Sequence, residues 1–179
     1  MSMIDKPSAA ERMIVNAITM SDRGDDPLAI HVVAASALNL LRELVDSTGD
    51  PYVAQVLKLG IFSIASARMK GEVVTTPTTP EIDALVEGVV LGIQSGEISD
   101  PSELDVALTT AELRDMLGYI VRPYNFLKHA DRDPLETLDE SDLNPDGVII
   151  HALTAFSMVC PSKPLPDKIA PFLTKHGLT

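Results

Sequence analysis

With 179 residues, 45% hydrophobic but only 4% aromatic, the chain suits one domain of close-packed helices with an Ala, Val, Leu and Ile core. Its net charge of −12 repels phosphate backbones at long range, which excludes generic DNA binding and leaves nucleic acid only a local basic site. The single cysteine, Cys160, excludes an internal disulfide and points to a reducing compartment. Met1 to Pro7 is charged and has no apolar core. The most apolar stretch, Leu28 to Leu41, is interrupted by His31 and Asn39, which reads as too short and too polar to span a bilayer. A cytoplasmic protein without membrane contact is expected.

In chain order, Ser8 and Glu11 have capping-box spacing, so a first short helix is expected from about Ala9 to the break at Ser21-Asp22-Arg23-Gly24-Asp25. Asp26 then caps, Pro27 takes the first helical position, and a second helix runs to about Asp46. Apolar over most of its circumference, it reads as the central one, with a narrow polar strip of His31, Ala35, Arg42 and Asp46. Asp50-Pro51 repeats the same start signal for a third helix to Gly71. After the polar loop Thr75 to Thr79, Thr79-Pro80 opens a fourth helix to about Gln94. Its Gly88 and Gly92, four apart, would let a neighbouring backbone come close.

Gly96 to Ser102 reads as a turn, and Asp105 to Leu108 as a short helical turn. A fifth helix starts at Thr109 or Thr110 and reaches His129. Pro123 falls inside it and removes the bond to the Tyr119 carbonyl, so a kink is expected just after Arg122. Leu135 to Leu143 reads as an acidic, mostly extended link. Asn144-Pro145 opens a sixth helix ending at Cys160-Pro161. Pro161 to Pro166 forms a semi-rigid arm, and a last short helix from about Asp167 is broken or kinked at Pro171. No alternating run long enough for a sheet occurs. The expectation is an all-α antiparallel bundle of about six helices, a single domain over 1–179, with 26–48, 51–70 and 111–129 at its centre and 161–179 as a C-terminal arm. Its Ala- and Val-rich faces and the Gly88/Gly92 surface suggest self-association as a homodimer.

The chemistry concentrates between Val121 and Pro134. Arg122, Asn125 and His129 stand at i, i+3 and i+7, so one face of a continuous helix carries all three. His129 titrates near neutrality and suits proton transfer, while the planar, permanent cation of Arg122 suits a phosphate oxygen. The plainer account is equally physical. A histidine in the last turn of a helix gains about 0.3–1 kcal/mol from the dipole, and a helix-face arginine commonly pairs with a carboxylate. His129, Asp131 and Asp133 could be a hard-cation site, but Arg132 intervenes and no glycine loop of the calcium type follows, so no metal is expected. His31 is either a satisfied core histidine or part of a polar seam facing His129. His151 and His176 read as structural or exposed. Cys160 has no adjacent base, and phosphate loops, nucleotide-binding glycine fingerprints and paired-cysteine motifs are lacking, so no cofactor is expected.

Arg122-x6-His129, with Asn125 between, resembles the arginine–histidine signature of HEPN domains (higher eukaryotes and prokaryotes nucleotide-binding). The resemblance implies an α-helical, often dimeric bundle that handles RNA or nucleotides, either as a metal-independent endoribonuclease or as a degenerate binder. It makes Arg122, Asn125 and His129 the catalytic candidates. His129 would move the proton of a ribose 2′-hydroxyl or of the leaving oxygen, Arg122 would stabilise the charged transition state, and Asn125 would orient either group. His31 and Lys128 are then expected to bind substrate. Pro123 departs from the signature, whose active members carry Asn, Asp or His after the arginine. Asn125 to Pro134, together with Ala29-Ile30-His31, also resembles a group of uncharacterised bacterial proteins. That looser match spans residues 26 to 176 and implies no activity. The alternative function is a non-catalytic helical module that binds a protein or a small ligand, in which Arg122 and His129 hold the helix end in place.

Overall fold

Proline and its preceding cap residue set most of the helix starts. In the computed structural model, which describes all residues except 1–2, 50, 73–79, 106–117, 119, 121, 129–133 and 179, Asp26 caps helix α2 (Pro27–Asp46) by accepting from the Ala29 N–H. Asn144 does the same for α6 (Pro145–Val159) through the Gly147 N–H. In both, proline occupies a first-turn position whose N–H has no helical partner anyway. Helix α1 (Lys6–Arg23) starts earlier than Ser8 and Glu11 suggest. Asp5 is its cap and accepts from the Ser8 N–H at 2.8 Å, so Ser8 lies within the first turn. Pro7 is compatible with that turn, and a carboxylate caps at least as well as a hydroxyl. Gly24, in the left-handed region at φ 72°, closes α1.

The remaining helices are α3 (Tyr52–Met69), α4 (Pro80–Ser95), α5, whose described helical residues are 118, 120 and 122–128, and α7 (Ala170–Lys175). The 3₁₀ turns η1 (Pro101–Glu103), η2 (Glu140–Asp142) and η3 (Asp167–Ile169) punctuate the loops. Pro51 occupies the cap position of α3 and not its first turn, and Asp50 lies outside the described residues. Thr79, the expected cap of α4, and the expected turn at 105–108 beyond Asp105 lie there too. The fold is all-α, with no strand among the described residues.

The contacts divide the chain into two compact units. One comprises Met1–Asp50 and Asp115–Thr179. Here α2 packs against both α1 and α6, and α1 also meets α6. The core is built from Ile14 and Ile18 of α1, Leu38 and Leu41 of α2, and Ile149 and Phe156 of α6, all buried. The C-terminal arm is docked on this unit, with Ile169 and Phe172 buried and Lys163 paired to Glu11 of α1 at 2.7 Å. Pro171 falls in the first turn of α7, where it breaks nothing, and η3 runs directly into α7 at Ile169–Ala170.

The other unit is Pro51–Arg114. In it α3 packs on α4 through Ile61, Ala65, Val86 and Val89, with Leu104 after η1 closing the cluster. Arg68 of α3 reaches both Asp83 and Glu87 of α4. α2 is central to its own unit, and α3 meets α4 and η1 among the described residues; most of the third expected central helix, 111–129, lies outside them.

One further expectation changes. The apolar part of α2 is longer than Leu28 to Leu41, and at 20 residues the helix is long and apolar enough to cross a membrane by length and composition alone. Within its unit it packs against α1 and α6. The narrow polar strip of α2 runs from the core to the surface. His31 and Ala35 are buried, Arg42 is half-buried, and only Asp46 is exposed.

Candidate functional site

The site grows from the geometry of α5. Pro123 is fully buried, so this side of the helix faces the core, and Arg122, Asn125, Leu127 and Lys128 are left exposed. Arg122 and Asn125 thus share the outer face that their spacing indicates. His129 lies outside the described residues, as do Asp131 and Asp133, and so does Tyr119, whose carbonyl decides the expected kink.

Arg122 is engaged. Its Nη1 donates to Asp142 Oδ2 of η2 at 3.1 Å, with the two side chains 56% and 42% exposed. Such a pair is worth roughly 0.2–1 kcal/mol, enough to hold a helix against a loop but not to fix either alone. Lys128 folds back on its own helix, with Nζ 5.8 Å from the centre of the Tyr124 ring four residues earlier.

His31 lies elsewhere. It is 2% exposed, and neither ring nitrogen meets hydrogen-bond geometry. Burial holds its pKa below the usual imidazole value, and the Ile120 carbonyl of α5 opposes that shift only in part. The expected contact of His31 with substrate therefore has no open path beside Arg122, Asn125 and Lys128. Its described neighbour on α5 is Ile120; whether it faces His129 lies outside the described residues. His151, half-buried on α6, also has its pKa lowered by burial. His176 stacks on Phe172 with centroids 4.5 Å apart, and its Nε2 stands 3.4 Å from Asp146 Oδ2. Lys175 Nζ is 3.7 Å from the same oxygen, and Ser21 Oγ of α1 donates to Asp146 Oδ1. This cluster fastens the C-terminal arm to the start of α6.

Next to the Arg122–Asp142 pair a cleft of about 470 Å³ opens between the start of α2, α5, the link to α6 and the first turn of α6. Leu28, Phe126, Leu138 and Leu143 give it an apolar wall, and Asp26 and Glu140 bring carboxylates to it. Its size falls in the range of small-molecule sites, roughly 300–1,000 Å³. The link that supplies three of these residues reads from sequence as a solvated connection. Within it, Leu138 and Leu143 five apart were the available signal: two half-buried leucines bracketing an acidic 3₁₀ turn that Asp139 caps. A second groove of about 450 Å³ runs between α1 and α2, lined by Met13, Met20 and Val33 among others. Among the described residues no group of His, Cys, Asp and Glu is placed to hold a metal ion.

These features define an all-α protein with an apolar, acid-edged cleft beside an exposed arginine. No protein-family model, curated protein or solved structure matches the chain.

Proposed function

We propose that the chain is a non-catalytic helical module that holds a small ligand in the cleft formed by α2, α5 and α6. The observation that carries this reading is the Arg122–Asp142 ion pair, which ties α5 to the 3₁₀ turn flanking the cleft. Arg122 then has a bracing role, because its guanidinium is already matched to a carboxylate, and the adjoining walls are apolar or acidic. Phosphate meets like charge there, not a cradle. The test has two arms. Purified protein should leave single-stranded RNA intact with and without EDTA. Titration with small apolar probes should shift the NMR signals of Phe126 and Leu143. Arg122→Ala and Asp142→Ala should weaken that binding alike, and the double variant should be no worse than either single one.

A second reading rests on one observation in its favour, the shared exposed face of Arg122 and Asn125. In it the chain is a HEPN-like homodimer, with Arg122, Asn125 and His129 cleaving RNA without a metal. Cleavage that survives EDTA and is abolished by Arg122→Ala and by His129→Ala, in variants that remain folded, would replace the first reading with this one.

A further inference from the structure

We propose that the α2–α5–α6 cleft selects an organic cation with an apolar body, an alkyl- or arylammonium; this rests on the small-ligand reading above. Three observations point to it. The wall is apolar, with the half-buried Phe126 ring available to a cation as well as to a hydrocarbon chain. Among the described residues the charged side chains lining the cleft are carboxylates: Glu140 forms no ion pair, and Asp26 accepts from the Ala29 N–H through one oxygen. The neighbouring cation, Arg122, is taken by Asp142.

An anionic ligand would find none of the usual compensation. The N-termini of α2 and α6 both open on the cleft, and their partial positive charge would ordinarily favour an anion. Here Asp26 and Asn144 already cap them, and the chain carries a net charge of −12. A neutral apolar ligand would fill the wall but draw nothing from the exposed Glu140 carboxylate. An ammonium carried on an apolar body satisfies both at once.

The experiment compares three probes of nearly equal shape, 4-phenylbutylamine, 4-phenylbutanol and 4-phenylbutyrate, titrated into the full chain and followed by the NMR signals of Phe126 and Leu143. The amine should bind roughly two- to fivefold tighter than the alcohol at low salt, and the butyrate weakest of the three. The gap between amine and alcohol should narrow at about 0.5 M salt. Glu140→Gln should remove most of that gap while leaving alcohol binding unchanged. Asp26→Asn, which keeps a good cap, should narrow it. If the alcohol binds as tightly as the amine, or the gap is undiminished in Glu140→Gln, the cation inference is overturned while the cleft remains a ligand site. If no probe shifts either signal, the inference fails together with the reading on which it rests.

Discussion

His31 offers the sharpest test of how the larger unit is held together. Its imidazole is 2% exposed with neither nitrogen in hydrogen-bond geometry, so a charged ring there would lack both water and a counter-ion. The folded-state pKa is accordingly depressed by burial. A depressed histidine binds fewer protons folded than unfolded, so stability is full above the unfolded value near 6.5 and is lost as pH falls below it, until the folded pKa is reached. If the folded ring stays neutral throughout, the loss between pH 7.5 and 5.5 approaches about 1.4 kcal/mol from this residue alone. His151, shifted in the same direction by burial, adds a contribution of the same sign.

The assay is urea unfolding at a series of pH values, with amide exchange in α2 as the local readout of this unit. His31→Leu should flatten the pH dependence by up to one proton equivalent and leave the contribution of His151 in place. At neutral pH the variant should be nearly as stable as the parent, because an unpartnered imidazole is exchanged for an apolar side chain of similar size. An unchanged slope in His31→Leu would refute the argument. So would a loss of several kcal/mol at pH 7.5, since that would mean the ring makes a strong hydrogen bond, with the Ile120 carbonyl as the acceptor.

Two further substitutions probe other parts of the fold. Gly92→Ala would place a Cβ 2.4 Å from Ile98 Cδ1 and 2.9 Å from its Cγ1, so Ile98 must leave its packing on the α3–α4 core, at a cost of about 1–3 kcal/mol. Gly88→Ala meets nothing within 4 Å on an exposed helix surface and should be neutral or stabilising by up to about 1 kcal/mol; thermal unfolding of the pair checks both signs. Asn144→Ala removes the bond to the Gly147 N–H and should lower stability by about 1 kcal/mol, with Asn144→Asp close to the parent in urea unfolding at neutral pH.

The helices were legible where a local signal sets them. Asp26-Pro27 and Asn144-Pro145 each supply a cap and a pre-set φ within two residues, and Gly24 supplies the left-handed stop, so no distant partner is needed to place these ends. Asp5 was missed because Ser8 and Glu11 have the spacing of a capping box, and two caps compete for the same N–H groups. Gly88 and Gly92 look equivalent in sequence, yet only Gly92 is closely approached. The three atoms nearest to it all belong to the Ile98 side chain, from the loop just after its own helix. Burial of His31 was one of two readings, and the pattern could not choose between them for a related reason. A 100° step shows which residues share a side of α2, but a helix apolar over most of its circumference has no broad polar face to mark the outside.

The same limit explains why Arg122 reads so differently before and after folding. Its i, i+3 relation to Asn125 is a property of one helix, whereas its partner Asp142 lies 20 residues on, across a link whose acidic composition suggests only solvation. The chain has nearly twice as many acidic as basic residues, 26 against 14, so a basic side chain at the surface meets a carboxylate more readily than it stays free for a ligand. A cation can then be recognised by the surplus carboxylates, as at Glu140, while an anion must first displace an existing pair, as at Arg122. That asymmetry follows from composition, but its location at the ends of α2, α5 and α6 follows from packing. It favours a cationic guest over a phosphate one.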